Sequence, residues 1–319
     1  MKRNRVIITG ISGFIGANIV RKMVNLGYDV YGFSKKKSNT WRLDDVMHSF
    51  NYFDIDINKK DAVHRLVTKI RPHIIYHLAS FGGYPFQSDP LSIINTNIGG
   101  TVNMLSSLKT IDFDVFVNFG SSSEYGRKRK PMKETDFLDP ISLYAAAKAG
   151  STYIANVYSH MLEKPVITVR PFSVYGPFEE PTRLIPTVIQ SALMKKDILI
   201  TSGHESRDFI FIDDFVDALL LLTQNPKRVK AKVINIGSGK QYSVSKVVSM
   251  INKITNSSAK IIYGEYNPRP WDTEFWVADI TLAKKQLSWR PRHSIHEGLK
   301  KTINWFRNNG KLYEKATRS

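Results

Sequence analysis

Residues 5–237 of this chain predict an α/β fold: a doubly wound parallel sheet followed by a smaller C-terminal lobe. Three observations carry that expectation. Short apolar strands alternate with helical stretches, a glycine-rich turn joins the first strand to the first helix, and the pattern loosens after a proline-punctuated segment. Residues 5–9, RVIIT, are largely β-branched and read as the first strand. Ile15, Ile19, Val20, Met23, Val24 and Leu26 then recur at helical period, and a second strand runs from Tyr28 to Phe33. Further strands are expected at 51–57, 73–80, 114–122, 165–174 and 231–237, with helices at 60–70, 91–109 and 142–162. Prolines 177, 181 and 186 mark the change of character. The expected division is a dinucleotide-binding domain over 1–176 with 208–240 returning to it, and a substrate-binding lobe from 177–207 and 241–319.

The 319 residues are enough for one large domain or two modest ones with a real core. Composition is ordinary for a globular protein, at 42% hydrophobic and 23% charged. No apolar run reaches the roughly 18 residues of a membrane span. The basic, then apolar, start MKRNRVIITGISG runs straight into the glycine turn, so it reads as a strand and not a leader. A soluble, cytoplasmic chain without membrane insertion is the expectation. With no cysteine, disulfides and thiolate metal sites are excluded. The eight histidines, at 48, 64, 73, 77, 160, 204, 293 and 296, lack metal-ligand spacing. The net charge of +18 is spread along the chain, with one dense run, RKRK at 127–130. It reads as a lysine-rich solvated surface, with no nucleic-acid partner expected, and it also suits a diphosphate ligand.

Gly10, Gly13 and Gly16 follow the first strand at spacing G-x-x-G-x-x-G. Between a strand and a helix, such glycines let backbone N–H groups close on a pyrophosphate at the helix N-terminus, the signature of a Rossmann-like dinucleotide site. An acidic residue at the end of the second strand binds the ribose of NAD, whereas basic residues suit the 2′-phosphate of NADP. Here Ser34 occupies that position and Lys35, Lys36 and Lys37 follow it. NADP is therefore the preferred cofactor, with NAD possible.

In SLYAAAKAG, residues 142–150, Tyr144 and Lys148 stand four apart on a helix made mostly of small residues. Together with the glycine turn and SSSEYG at 121–126, this pair resembles the extended short-chain dehydrogenase/reductase family, and within it the nucleotide-sugar epimerases, dehydratases and reductases. HLAS (77–80), NTNIGGT (95–101), RPFSVYGP (170–177), RDFIFIDD (207–214) and PRPWD (268–272) fall in that family's order, so the resemblance runs nearly end to end. It implies that Tyr144 donates and accepts the proton, while Lys148 holds the nicotinamide ribose and lowers the pKa of a phenol that is otherwise about 10. Small neighbours such as Ala145, Ala146 and Ala147 would let cofactor and sugar approach. Ser121 is implied to hydrogen-bond the reacting sugar oxygen, with Ser122 and Ser123 as adjacent alternatives. Cofactor contacts are implied at Gly10, Ser12, Gly13, Phe14, Ile15, Gly16, Ser34, Lys35, Lys36, Asp56, Ile57, Leu78, Ala79, Asn97 and Pro171 besides Tyr144 and Lys148. The family's members also lead us to expect a homodimer.

The same resemblance places the nucleotide-sugar diphosphate on Arg207 and Arg269, with Asp272 nearby and Arg183 as a further candidate; an arginine fork suits a diphosphate. Ser122 and Ser173 would line the sugar, although Ser173 departs from the asparagine common in the family. Ser123 stands where the dehydratases have a glutamate base, which speaks against elimination unless Glu124, one place later, takes that part. The expected activity is therefore reduction of a nucleotide-linked 4-keto-6-deoxy sugar. The alternative is a nucleotide-sugar 4-epimerase that retains NAD. A non-catalytic cofactor-binding regulator is a remote third, because it has no use for an intact Tyr144–Lys148 pair.

Overall fold

The computed structural model describes residues 4–36, 38–229, 232–266 and 273–317. Its centre is a seven-stranded parallel sheet. The strands are β1 (Arg5–Thr9), β2 (Asp29–Ser34), β3 (Asn51–Asp54), β4 (Ile74–His77), β5 (Val115–Phe119) and β6 (Val166–Pro171), joined later in the chain by Val233–Ile236. From the Val233–Ile236 edge the order runs through β6, β5, β4, β1 and β2 to β3. Alternation decides which layer each side chain joins. Val6 and Ile8 face one core cluster and Ile7 the other; Val115, Val117 and Phe119 face the first and Phe116 the second. Helices α1 (Phe14–Asn25) and α2 (Lys60–Ile70) follow β1 and β3 and lie on opposite faces. Strand order reverses between β1 and β4, and the crevice beyond the carboxyl ends at that switch point is where such sheets bind ligands.

Two elements differ from the sequence expectation. The helix expected over 91–109 is α3 (Pro90–Ile94) and α4 (Gly100–Ser106), separated by a wide π-type turn over Asn95–Gly99. Asn97 Nδ2 donates to Ile93 O (2.9 Å), the carbonyl an α-helix would offer to the backbone of residue 97. The strand expected over 165–174 breaks after Pro171. A separate strand, β7 (Ser173–Tyr175), leaves the main sheet and pairs in parallel with Phe209–Phe211.

Helix α5 (Leu143–Leu162) crosses back to β6. Beyond β7 come α6 (Leu184–Leu193), β8 (Ile198–Leu199), β9 (Ser206–Arg207), β10 (Phe209–Phe211) and α7 (Ile212–Gln224). The chain then adds β11 (Val233–Ile236) to the sheet and continues through β12 (Tyr242–Ser243), α8 (Val244–Thr255), β13 (Ile261–Ile262), α9 (Thr281–Leu287) and α10 (Ile295–Thr317). Helices α6, α8 and α10 pack on one another, while α7 packs on α1. No helix among the described residues is long and apolar enough to cross a membrane.

Candidate active site

The turn after β1 is built as the glycine spacing requires. Gly10 has φ of +69°, and a Cβ there would stand 2.8 Å from Ala79 N, so β4's exit and the turn can meet only with glycine. At Gly16 a Cβ would come within 2.6 Å of Gly10 O. Helix α1 begins after Gly13 with no side-chain cap and no acidic residue in its first turn. Its leading N–H groups, including those of Phe14 and Ile15, fit the diphosphate of a dinucleotide. Leu78 and Ala79 continue from β4, with Ala79 N donating to Thr9 Oγ1 (3.1 Å).

At the end of β2, Ser34 is buried and its hydroxyl lies 2.9 Å from that of Ser12. Lys35 Nζ is 3.6 Å from Asp56 Oδ2. That lysine already has a carboxylate partner, which weakens the reading of the run as a 2′-phosphate clamp; Lys36 stands exposed and Lys37 lies outside the described residues. Ile57 is buried beneath Gly100. Asn97 does not present its side chain to a ligand: it is buried, donating to Phe81 O (2.7 Å) and Ile93 O. Pro171 closes β6 opposite Ile236.

Ser142 caps α5 by accepting from Ala145 N (3.1 Å), which places Tyr144 in the first turn and Lys148 one turn later. Ala145 and Ala147 are buried, so two of the three alanines serve close packing of α5 against the protein, while Ala146 is exposed. The Tyr144 ring is overhung by the 80–87 loop. A Cβ on Gly82 would be 3.4 Å from Tyr144 Cβ, and one on Gly83 would be 3.9 Å from the end of the ring. Of the three serines, Ser121 is the one whose side chain acts on the Tyr144 phenol, pulling its pKa down against burial. Ser122 Oγ instead accepts from Trp276 Nε1 (3.3 Å), and Ser123 N donates to Ser121 Oγ (3.1 Å).

Burial pushes the Tyr144 phenol up to about 12, opposed by the charge of Arg183 and the Ser121 hydrogen bond. The sequence expectation named Lys148 as the cation acting on this phenol, whereas the leading charge is Arg183, which immediately precedes α6. Arg183 Nη2 donates to Gly83 O (3.1 Å), and its guanidinium lies 4.8 Å from the Tyr84 ring centroid. It therefore stands at the Tyr144 end of the cleft. Lys148 is buried, donates through Nζ to Phe119 O, and is pulled down to about 8 by burial, opposed by the charge of Glu124.

Glu124 was an alternative base, but its surroundings assign it elsewhere. It is fully buried. Its Oε1 accepts from Ser121 N (2.7 Å); its Oε2 accepts from Thr152 Oγ1 (3.0 Å) and Arg170 Nε (2.8 Å). Arg170 goes on to Tyr125 OH (2.8 Å), which donates to Asn235 Oδ1 (2.7 Å). A Cβ on Gly120 would lie 2.4 Å from Glu124 Oε1, so glycine admits the carboxylate to the Ser121 backbone. Sequence reading missed Arg170, although a lone arginine inside an otherwise apolar strand was a visible signal.

On the lobe side, Arg207 lies 5.4 Å from the Trp276 ring, the same indole that reaches Ser122. Ser173 N donates to Asp208 O (2.9 Å), next to Arg207. Arg269 and Asp272 lie outside the described residues.

The profile of the NAD dependent epimerase/dehydratase family matches residues 6–237. The chain is 30% identical to a UDP-glucuronate 4-epimerase of Thermodesulfobacterium geofontis, over 96% of this chain and 97% of that protein. The UDP-glucose 4-epimerase of Thermotoga maritima, solved with UDP-glucose, superposes with a TM-score of 0.88 at 26% identity, covering 96% of this chain and 99% of that one. The UDP-glucuronic acid 4-epimerase of Bacillus cereus, solved with UDP-glucuronic acid and NAD, gives 0.84 at 27% identity, covering 95% and 99%. The fold, the glycine turn and the Tyr144–Lys148 pair agree with this match over more than half the chain, and the protein belongs to the NAD-dependent epimerase/dehydratase family of extended short-chain dehydrogenases/reductases.

Proposed function

We propose that this protein is a nucleotide-sugar 4-epimerase that retains NAD, acting on a UDP-linked hexose or hexuronate. The observation that carries the reading is the disposition of Tyr144, whose pKa Arg183 and Ser121 pull down against burial, near a Glu124 whose carboxylate is engaged by Ser121 N, Thr152 and Arg170. This set can move the proton of a sugar hydroxyl, but Ser123 and Glu124 supply no base for elimination. The relatives support epimerisation over the reduction expected from sequence, and NAD over NADP.

NAD, when bound, would supply a reversible hydride acceptor. In our reading Tyr144 takes the 4-hydroxyl proton as the hydride leaves C4 and gives it back after the keto sugar has turned over. Ser121 orients that oxygen, and Lys148 holds the nicotinamide ribose. The turn at Gly10–Gly16 carries the cofactor diphosphate. Arg207 binds the substrate diphosphate, with Arg269 and Asp272 assigned beside it from the family pattern, in a lobe formed by 177–207 and 241–319. Arg183 serves the sugar end. It makes no ion pair among the described residues, which favours an acidic hexuronate over a neutral hexose.

The test is incubation with UDP-glucuronate or UDP-glucose without added cofactor. We expect interconversion of the C4 epimers, faster with the uronate, and NAD released on denaturing the purified protein. Stoichiometric consumption of added NADPH with a 4-keto sugar would replace this reading by a reductase. An alkali-absorbing 4-keto-6-deoxy product would replace it by a dehydratase.

We also propose a homodimer through α5. Tyr153, Val157 and Met161 recur every fourth residue and are 62%, 55% and 59% exposed, and α3, which contacts α5, exposes Leu91. Val157→Glu is expected to halve the mass measured by light scattering. A dimeric Val157→Glu variant would remove this face from the interface.

A further inference from the structure

The segment leaving β7 carries an unfavourable backbone. Phe178 has φ of +70°, a left-handed conformation that is unfavourable for a bulky residue and persists only where its surroundings impose it. One guanidinium holds it. Arg42, in a short 3-10 turn (Trp41–Leu43) after β2, is 6% exposed. It donates from Nε to Phe178 O (2.7 Å), from Nη2 to Glu180 Oε2 (2.8 Å), and from Nη1 to Ser12 O in the glycine turn (3.4 Å). Its own carbonyl is held by Arg21 Nη2 (2.6 Å), and Asn18 of α1 holds Pro177 O (3.1 Å). Five residues beyond Phe178 the chain delivers Arg183 to Gly83 O beside Tyr144.

We propose that Arg42 is a positioning residue that ties the cofactor-cradling turn to the Phe178–Arg183 segment and so sets where Arg183 stands at the sugar end. The proposal rests on the role given to Arg183 above. Its physical basis is the fork. Two carbonyls and a carboxylate in three directions are met by one planar, always-charged group, whereas an ammonium is a single point on a flexible stem. One carbonyl partner belongs to the glycine turn and the other to the segment that leads to Arg183, so loosening the tie lets these two segments move relative to one another. Misplacement of that kind costs rate out of proportion to the distance moved.

The experiment compares Arg42→Lys, Arg183→Ala and the double variant in steady-state kinetics with UDP-glucuronate, alongside thermal unfolding and the NAD content of each purified protein. Arg42→Lys is expected to raise KM and lower kcat, a combined loss of about tenfold to a hundredfold in kcat/KM, with NAD still present. The ascending limb of kcat with pH should move to higher pH in both single variants, because the Arg183 charge opposes the rise of the Tyr144 pKa. The double variant should be no worse than Arg183→Ala to within about twofold, since both changes act through the same group. Additive losses overturn the tie. So does an Arg42→Lys protein that melts earlier yet keeps wild-type KM and pH profile. A harmful Arg183→Ala beside a silent Arg42→Lys overturns the tie alone, whereas a silent Arg183→Ala overturns the assignment of Arg183 and the tie with it.

Discussion

Tyr144→Phe is expected to lower turnover by about 10²- to 10⁴-fold, with the fold and bound NAD unchanged. The substitution removes one oxygen and keeps the ring whose end lies beside Gly83. What disappears is the hydroxyl on which Arg183 and Ser121 act, the group that takes a proton from the sugar in our reading. In the wild-type protein, burial raises this phenol to about 12, so the proton-accepting form becomes more populated as pH rises. Oxidation of the sugar should accelerate accordingly, and the variant should lose that rise. The checks are kcat across pH, circular dichroism, and the NAD released on denaturation. Turnover within about threefold of wild type would remove Tyr144 from the chemistry, because it lies below the usual contribution of a general acid–base group.

The second large effect is on stability. Glu124→Ala is expected to cost about 3–5 kcal/mol, read from the shift in denaturant midpoint. The Arg170 and Glu124 side chains are 3% and 0% exposed, so truncating the carboxylate leaves an uncompensated guanidinium inside the protein. It also frees Ser121 N and Thr152 Oγ1, two donors that water cannot readily reach. Glu124→Gln should lose less, because an amide oxygen still accepts one of those bonds while the ion pair is gone. Activity should fall with the alanine variant even where it remains folded, since the Ser121 backbone is then held by fewer bonds. A loss below about 1 kcal/mol, the level of an exposed pair, would mean that the network contributes little and that the position of Ser121 is set elsewhere.

Much of the architecture is legible from local pattern. The β-branched, apolar run at residues 5–9 is a property of one strand, and the spacing of Gly10, Gly13 and Gly16 is a property of one turn. The four-residue step from Tyr144 to Lys148 is a property of one helix. Each depends on neighbours within a few residues, so it can be read without the fold. The central strands are legible as short apolar runs rather than by alternation, because they are buried on both faces. Boundaries were less legible where a side chain competed with the backbone, as Asn97 does at the π-type turn, or where a proline ended a ladder, as at Pro171.

The identity of the groups that act together was decided only by tertiary structure. Three consecutive serines leave Ser122 and Ser123 as alternatives to Ser121 in the sequence, yet Ser121 is the one that acts on Tyr144, while Glu124 folds back on its N–H and Trp276 takes Ser122. Glu124 reads as a possible base until Arg170, 46 residues away, accounts for its charge. Arg183 meets Gly83 of the 80–87 loop across 100 residues, and Arg42 reads as one more cation of a basic chain until Phe178, 136 residues on, supplies its partner. Residue type and spacing determine which chemistry a side chain can perform. Burial and opposing charge determine whether it is free to perform it, and both come from segments that only the folded chain brings into contact.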